Sequence, residues 1–345
     1  MIEKNKIFNP EGEDAISKRS IIKGHTTGLF QLNLTKYTWA KQMYQVMIGN
    51  FWIPEKVMGL KEDAIEFHEK LSAEEQKAYK GILSFLIFLD SIQTVNLPRI
   101  SDYITAPEIN LILSIQAYQE AIHSQAYATM LETIVDSNER DEIYYFWKTD
   151  KVLLKRNQYI GQIYQDFMDH PSDDNFFKTI VANYLLESLY FYNGFAFFDT
   201  LEDSGKMHAS ERMIAYIRRD ELTHITLFVN MMLNLKEEFP EIYDEKEILD
   251  LTKIAVEQEI TWSDHILGNK IPGINGETTK AYTEWLANDR LALLGIKPLY
   301  PKATKNPYKH LERYQSLEDD KSNFFETTVI NYTQSTGLKG DWEDV

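Results

Sequence analysis

The sequence predicts an all-α protein whose core is a four-helix bundle, and two observations carry that prediction. From about residue 36 to about residue 300, apolar side chains recur every three or four positions, and glycine and proline lie mostly between these periodic stretches. In addition, two Glu-x-x-His motifs each follow a lone carboxylate by about thirty residues. This order of carboxylates and imidazoles is the ligand pattern of dinuclear metal sites in four-helix bundles.

Composition narrows the classes of function. The chain has 345 residues, of which 43% are hydrophobic, as in a globular protein. Its formal net charge of −17 argues against a nucleic-acid partner, because phosphate neutralisation needs clustered Lys and Arg. The sequence contains no cysteine, no secretion signal and no uncharged apolar run long enough to span a membrane. We therefore expect a cytoplasmic protein without a membrane partner.

The chain divides into three predicted parts. Residues 1–35 form a mixed, polar N-terminal arm, and residues 36–315 form the helical domain. Residues 316–345 have little apolar periodicity and end in the acidic sequence GDWEDV, so we expect a flexible C-terminal tail.

Two helix starts can be placed from local signals. Ser72 followed by Glu75 predicts a capping box at the start of a helix that runs to about Gln93. Thr105 followed by Glu108, with a proline between them in the first turn, predicts the start of the next helix.

The candidate metal ligands lie in the segments FLDSIQ, YQEAIHSQAY, YLLESLYFY and RRDELTH. They are Asp90, Glu120, His123, Glu187, Glu221 and His224. Helical spacing puts each of them on the apolar stripe of one of four predicted helices. Unpaired charges there would cost on the order of several kcal/mol each, and no Lys or Arg lies on these stripes. Two metal cations would supply the missing positive charge, and oxygen-rich ligation favours iron or manganese over zinc or copper.

These motifs resemble the small, radical-generating subunit of class I ribonucleotide reductase. The resemblance runs from Phe51 in NFWIPEKV to Tyr332 in FFETTVINY and covers most of the chain. It implies a ferritin-like fold with additional helices, a homodimer, and an oxidoreductase that acts only together with a large (alpha) subunit. That partner would bind the ribonucleoside diphosphate and supply the reactive cysteines that this chain lacks.

The resemblance also assigns the ligands to two metal ions. Asp90, Glu120 and His123 would bind one ion. Glu187, Glu221 and His224 would bind the other, with some of the glutamates bridging. The implied pair is two iron ions, and a mixed manganese–iron or a dimanganese pair remains the alternative. The DSIQ and HSQAY contexts look more like the di-iron branch than the branch served by a flavodoxin-like activator.

Tyr127 is the residue to which the resemblance assigns the stable radical. It follows His123 by one helical turn on the same face. Some relatives have phenylalanine at this position and keep the oxidant on a manganese–iron centre, so a tyrosine here favours the tyrosyl form. Phe191, Phe195 and Ile217 match the apolar pocket that shields the radical.

A radical-transfer path is implied as well. Trp52 matches a relay tryptophan near the metal site, and Asp220 matches the carboxylate that links it to His123. Tyr332 matches the last tyrosine before the subunit boundary. The terminus from about Lys339 to Val345 would then anchor the large subunit.

Two other classes of function share the ligand set. A ferritin-like dimetal oxidase would act directly on a small molecule, without needing a relay tryptophan, a radical tyrosine and a docking tail together. An iron-storage protein would form oligomeric cages and hold no persistent radical.

Overall fold

Helices make up most of the chain in the computed structural model, which describes residues 2–314. They are α1 (Thr38–Gly49), α2 (Leu60–Glu69), α3 (Ala73–Ser101), α4 (Pro107–Ile134), α5 (Arg140–Thr149), α6 (Lys151–Asp169), α7 (Asp173–Leu185), α8 (Tyr192–Asp203), α9 (His208–Glu238), α10 (Glu245–Ile266) and α11 (Gly276–Leu293). Within the described residues the only extended pairing is an isolated bridge between Ile22 and Ile104. The all-α prediction is therefore confirmed.

The long helices α3, α4 and α9, together with α7, form the central bundle. Helix α3 packs along α4, and α9 packs against both α4 and α7. Each helix buries a nearly continuous apolar stripe, and three of the predicted ligand segments lie on the stripes of α3, α4 and α9. The fourth, which contains Glu187, begins in the last turn of α7 and continues beyond its end. The bundle therefore brings the candidate ligands toward one point in the core.

Helix α3 begins as predicted but is longer than expected. Ser72 Oγ accepts a hydrogen bond from the amide of Glu75, and Glu75 Oε2 accepts one from the amide of Ser72. The helix continues past Gln93 to Ser101 despite an internal proline at Pro98. Its last two turns bury further apolar side chains against the bundle, and this packing offsets the hydrogen bond that the proline removes.

The capping role predicted for Thr105 is wrong. The residue that caps α4 is Ala106, whose side chain makes no capping hydrogen bond, although Pro107 does occupy the first turn. Thr105 instead hydrogen-bonds main-chain groups of the N-terminal arm. Glu108 forms a buried ion pair with Arg19 at 3.0 Å. Both side chains thus fasten the arm to the bundle.

Helix α3 is by length and composition apolar enough to cross a membrane. However, 67% of its most apolar window is buried inside the protein. It also carries Asp90 on its buried side. These properties are those of a central core helix.

Candidate metal centre

The predicted ligands meet in the middle of the bundle, and all of them are fully buried. Their donor atoms form two groups, each with atoms within 4.8 Å of one another. The groups are Asp90, Glu120, His123 and Glu221, and Glu120, Glu187, Glu221 and His224. Glu120 and Glu221 belong to both groups, so these two carboxylates are positioned to bridge a pair of ions.

The distances within the cluster are those of ligand shells. His123 Nδ1 lies 3.2 Å from Glu221 Oε1 and 3.4 Å from Glu120 Oε2. His224 Nδ1 lies 2.8 Å from Glu221 Oε2 and 3.2 Å from Glu120 Oε1. Ligands about 2.1 Å from an octahedral ion are separated by about 3 Å. The donor atoms therefore lie at mutual distances that suit the ligands of two ions.

Hydrogen bonding tests whether the cluster fits metal ions. Several donor atoms make no hydrogen bond of acceptable geometry: both carboxylate oxygens of Asp90, Glu120 Oε2, His123 Nδ1, Glu187 Oε2 and Glu221 Oε1. Buried polar atoms are rarely left without a partner. These atoms crowd one small volume, and metal ions there would satisfy them together.

Three buried carboxylates elsewhere in the described part of the chain show the contrast. The pairs are Glu108 with Arg19, Glu259 with Arg156, and Asp199 with Arg218. Within residues 2–314, none of the four carboxylates in the cluster forms an ion pair with Lys or Arg. The four carboxylates thus lie together without a Lys or Arg of the described residues to neutralise them, as expected of a site for metal cations.

Both imidazoles are oriented by acceptors outside the cluster. His123 Nε2 lies 3.3 Å from Asp220 Oδ2, and His224 Nε2 lies 3.0 Å from Gln119 Oε1. An acceptor at Nε2 places the ring proton there and leaves the Nδ1 lone pair facing the cluster. The sequence prediction included Asp220 but missed Gln119. A signal for it exists, because Gln119 and Asp220 each directly precede the glutamate of a Glu-x-x-His motif.

Glu187 is held by a π-helical segment, Leu186–Tyr190, between α7 and α8. The sequence predicted a regular helix here, and that prediction is wrong in this segment. Gln93 Nε2 and Gln116 Nε2 donate to Glu187 Oε1 at 2.5 and 2.9 Å, which leaves Oε2 for the cluster. The wider turn of a π segment aims a side chain differently from an α-helix and is frequent at functional sites.

Burial and mutual repulsion perturb the ionisation of the cluster. Burial, followed by the charge of neighbouring carboxylates, raises the pKa of Asp90, Glu120 and Glu221 well above the usual range. Glu187 differs: burial raises its pKa, but the neighbouring His224 and the hydrogen bond from Gln93 outweigh burial, so that its pKa is lowered. Without metal the cluster therefore retains protons, which bound cations displace.

We expect metal ions to stabilise the protein more strongly as the pH rises from about 6 to about 8.5. The raised carboxyl pKa values favour the protonated folded state, so the contribution of these three groups to the stability of the metal-free protein is greatest below about pH 4 and falls as pH rises toward those values. The affinity for metal ions rises with pH instead, since the carboxyl groups must lose their protons before they can bind the ions. Melting temperatures with and without Mn²⁺, measured across this range, check the expectation. A difference in melting temperature that shrinks with rising pH would contradict it.

Tyr127 is fully buried on α4 beside the cluster. Burial, and then the charges of Asp90, Glu221 and Glu120, raise the pKa of its phenol well above the usual range. Its hydroxyl makes no hydrogen bond of acceptable geometry. The phenol is therefore protonated, shielded from water and adjacent to Asp90.

The residues predicted to shield the radical are buried in the same core. Phe191, Phe195 and Ile217 are at most 1% exposed. The rings of Phe191 and Phe195 pack with their centroids 5.9 Å apart. Phe191 directly follows the π segment that carries Glu187, so one short segment provides both a candidate metal ligand and one of these apolar side chains.

The predicted relay residues form a continuous chain of contacts. Trp52 Nε1 donates to Asp220 Oδ2 at 2.9 Å, and the same oxygen lies 3.3 Å from His123 Nε2. Trp52 is 8% exposed. This series of contacts thus leads from the cluster toward the surface. Tyr332 and the Lys339–Val345 terminus lie outside the described residues.

Comparisons with known proteins identify the family. A model of the family "Ribonucleotide reductase, small chain" matches residues 29–307, well over half of the chain. The protein belongs to the ribonucleotide reductase small-chain family. This small chain is 42% identical over 346 residues to the ribonucleoside-diphosphate reductase subunit beta of Treponema pallidum, covering 99% of this chain and 98% of that protein.

Solved structures agree with the family assignment. The ribonucleotide reductase R2 subunit from Clostridium botulinum has a TM-score of 0.88 and 43% identity, covering 92% of this small chain and 99% of that one. The dimanganese(II)-NrdF of Streptococcus sanguinis, at 22% identity and a TM-score of 0.73, shares the fold. The predicted ferritin-like fold and the predicted role as the small subunit of an oxidoreductase are therefore confirmed. A small subunit implies a large-subunit partner, and the family assignment favours the reductase over the oxidase and iron-storage alternatives.

Proposed function

We propose that this small chain generates a tyrosyl radical on Tyr127 beside a dinuclear metal centre and passes the oxidising equivalent to a large subunit that reduces ribonucleoside diphosphates. The observation that carries the proposal is the buried cluster of ligands with Tyr127 one helical turn beyond His123. A phenol in that position adjoins the cluster and is closed to solvent.

The metal pair we propose is two iron ions, with a manganese–iron or a dimanganese pair as the alternative. Oxygen-rich donors with two imidazoles suit these metals. When bound, the pair supplies the one-electron oxidising power that the protein alone lacks. Glu120 and Glu221 would bridge the ions, and Asp90 and Glu187 would each bind one of them.

The side chains around Tyr127 determine how its radical forms and persists. On oxidation the phenol loses an electron and its hydroxyl proton, and Asp90 is the carboxylate that most affects this hydroxyl. Asp90 would therefore accept the departing proton. Phe191, Phe195 and Ile217 offer the radical no readily oxidised group and exclude water.

The path Trp52–Asp220–His123 would carry the oxidising equivalent away from the metal centre. Because one oxygen of Asp220 contacts both the indole N–H and the imidazole, it couples the two rings. We expect Trp52→Phe to keep the Tyr127 radical and both ions, yet to lower turnover with the large subunit by about 100-fold or more, equivalent to about 2.7 kcal/mol.

Trp285→Phe is the matched control for this substitution, since Trp285 is partly buried and stacks on Tyr282 in another part of the protein. This variant is expected to turn over normally. Unchanged turnover in Trp52→Phe, with the radical retained, would show that the relay does not pass through Trp52.

We propose that the arm 1–35 and the domain 36–315 form the metal-binding body, and that the tail 316–345 docks the large subunit, with Tyr332 continuing the radical path. The support is the tail's polar, acidic sequence beyond the helical pattern. A synthetic peptide of residues 339–345 is expected to inhibit turnover by competing for the large subunit, without affecting the Tyr127 radical. A peptide no more inhibitory than its scrambled version would refute docking through this segment.

We also propose that the subunit is a cytoplasmic homodimer. The absence of cysteine supports a reducing compartment. Three exposed apolar side chains, those of Ile48, Phe51 and Tyr118, line one surface cavity of about 450 Å³. Such patches often mark contacts between subunits, which supports the dimer.

A further inference from the structure

Trp52 has a second close neighbour, Tyr216, to which no role has yet been assigned. Their rings are stacked, with centroids 5.1 Å apart and an interplanar angle of 16°. Tyr216 lies on α9 one turn before Asp220. One turn of α9 therefore makes two contacts with Trp52: Asp220 accepts a hydrogen bond from the indole N–H, and Tyr216 stacks on the face of the ring.

Tyr216 lies on the solvent side of this contact. It is partly exposed, whereas Trp52 is buried. Both rings line a surface cavity of about 200 Å³ whose rim includes Met58, which is 83% exposed. The same cavity is lined by the basic side chains of Lys56 and Arg212. The stacked pair thus links a residue in contact with Asp220 to an open part of the surface.

Arg219 determines the chemistry available to Tyr216. Its guanidinium lies 5.2 Å from the centroid of the Tyr216 ring, and it also donates to the backbone oxygen of Asn50. A cation held over the ring opposes the formation of a tyrosine cation radical, because the two positive charges repel. Oxidation that also releases the phenolic proton gives a neutral radical and avoids this repulsion.

We propose that Tyr216 is a radical-transfer residue that extends the path from Trp52 to the surface, from where Tyr332 of the docked tail continues it. This inference rests on the proposed function, which supplies the oxidant. In the outward step, oxidised Trp52 takes one electron from Tyr216, and the phenolic proton passes to water in the cavity. Tyr216 then regains one electron from the large subunit by way of Tyr332, and a proton from water. The net result is a large subunit oxidised by one electron and a Tyr127 radical that regains this electron and, from Asp90, its proton.

Two substitutions separate electron transfer from packing. Tyr216→Phe keeps the stacked ring but lacks the oxidisable hydroxyl, and Tyr216→Leu removes both. Both are expected to retain the metal ions and the Tyr127 radical while losing about tenfold or more in turnover. Tyr159→Phe, at another partly buried tyrosine, is the control and should turn over normally. Normal turnover in Tyr216→Phe would overturn the proposal, whether or not Tyr216→Leu is impaired.

A radical trap provides a readout that a packing role would not change. With 3-aminotyrosine in place of Tyr216, adding the large subunit and ribonucleotide to the metal-loaded protein should produce an aminotyrosyl signal in the electron paramagnetic resonance spectrum. The Tyr127 signal should decrease by the same amount, and the same replacement at Tyr159 should give no new signal. A Tyr127 radical that is consumed in turnover without any signal from position 216 would overturn the proposal. Absence of a Tyr127 radical in the unmodified protein would instead be a failure of the proposed function.

Discussion

Replacing Glu221 with Gln is expected to remove metal from both positions of the cluster. Glu221 belongs to both donor groups, and its two oxygens lie 3.2 and 2.8 Å from the Nδ1 atoms of His123 and His224. The substitution keeps the volume but removes a negative charge and one donor oxygen. Loss of an outer partner alone typically costs about 10- to 100-fold in metal affinity, so we expect a larger loss here. Metal content after anaerobic loading and dialysis, measured by mass spectrometry, checks this expectation.

Glu211→Gln is a matched control for this experiment. Glu211 lies on the same helix, is buried, and has one oxygen without a hydrogen-bond partner. Burial raises its pKa to about 8, so at neutral pH the side chain is largely protonated and glutamine resembles it closely. This variant should retain two ions per chain. Two ions retained by Glu221→Gln as well would show that Glu221 is not a shared ligand.

Replacing Tyr127 with Phe is expected to abolish turnover while leaving the metal centre intact. The ring still fills its buried position, and the lost hydroxyl has no hydrogen bond of good geometry. We therefore expect a change of less than about 1 kcal/mol in the free energy of unfolding. Turnover with the large subunit should fall by about 1,000-fold or more, because no other group in this position can hold the radical. Steady-state assays and metal analysis of the same preparation test both expectations.

Tyr184→Phe is the control for loss of a buried hydroxyl. Tyr184 is fully buried, and its hydroxyl donates to the backbone oxygen of Arg290. We expect this variant to lose some stability but to keep its turnover. Full turnover in Tyr127→Phe would mean that the oxidising equivalent resides on the metal pair.

The ligands could be predicted from the sequence because they violate its dominant pattern. A carboxylate such as Asp90 or Glu187 interrupts an otherwise apolar stripe, and the repeated Glu-x-x-His spacing leaves one geometry in which all of them converge. The capping box of Ser72 and Glu75 could also be predicted, because it depends only on two residues that are three positions apart in the sequence.

Features that depend on packing between distant segments could not be predicted in this way. Gln93 and Gln116 resemble ordinary core polar residues until the bundle brings both amides to one oxygen of Glu187. The π segment is equally invisible, because the chain around Glu187 is buried on all sides and has no polar face that would reveal an extra residue in the turn. The stack of Tyr216 on Trp52 depends on how α9 meets the loop after α1.

The most direct test of the central claim is an electron paramagnetic resonance spectrum of the full-length protein, loaded with ferrous iron and exposed to air. The claim predicts two ions per chain and a persistent organic radical. The hyperfine pattern of that radical should change when the protein carries ring-deuterated tyrosine, and the signal should vanish in Tyr127→Phe. A protein that binds two iron ions per chain and yields no tyrosyl signal would contradict it.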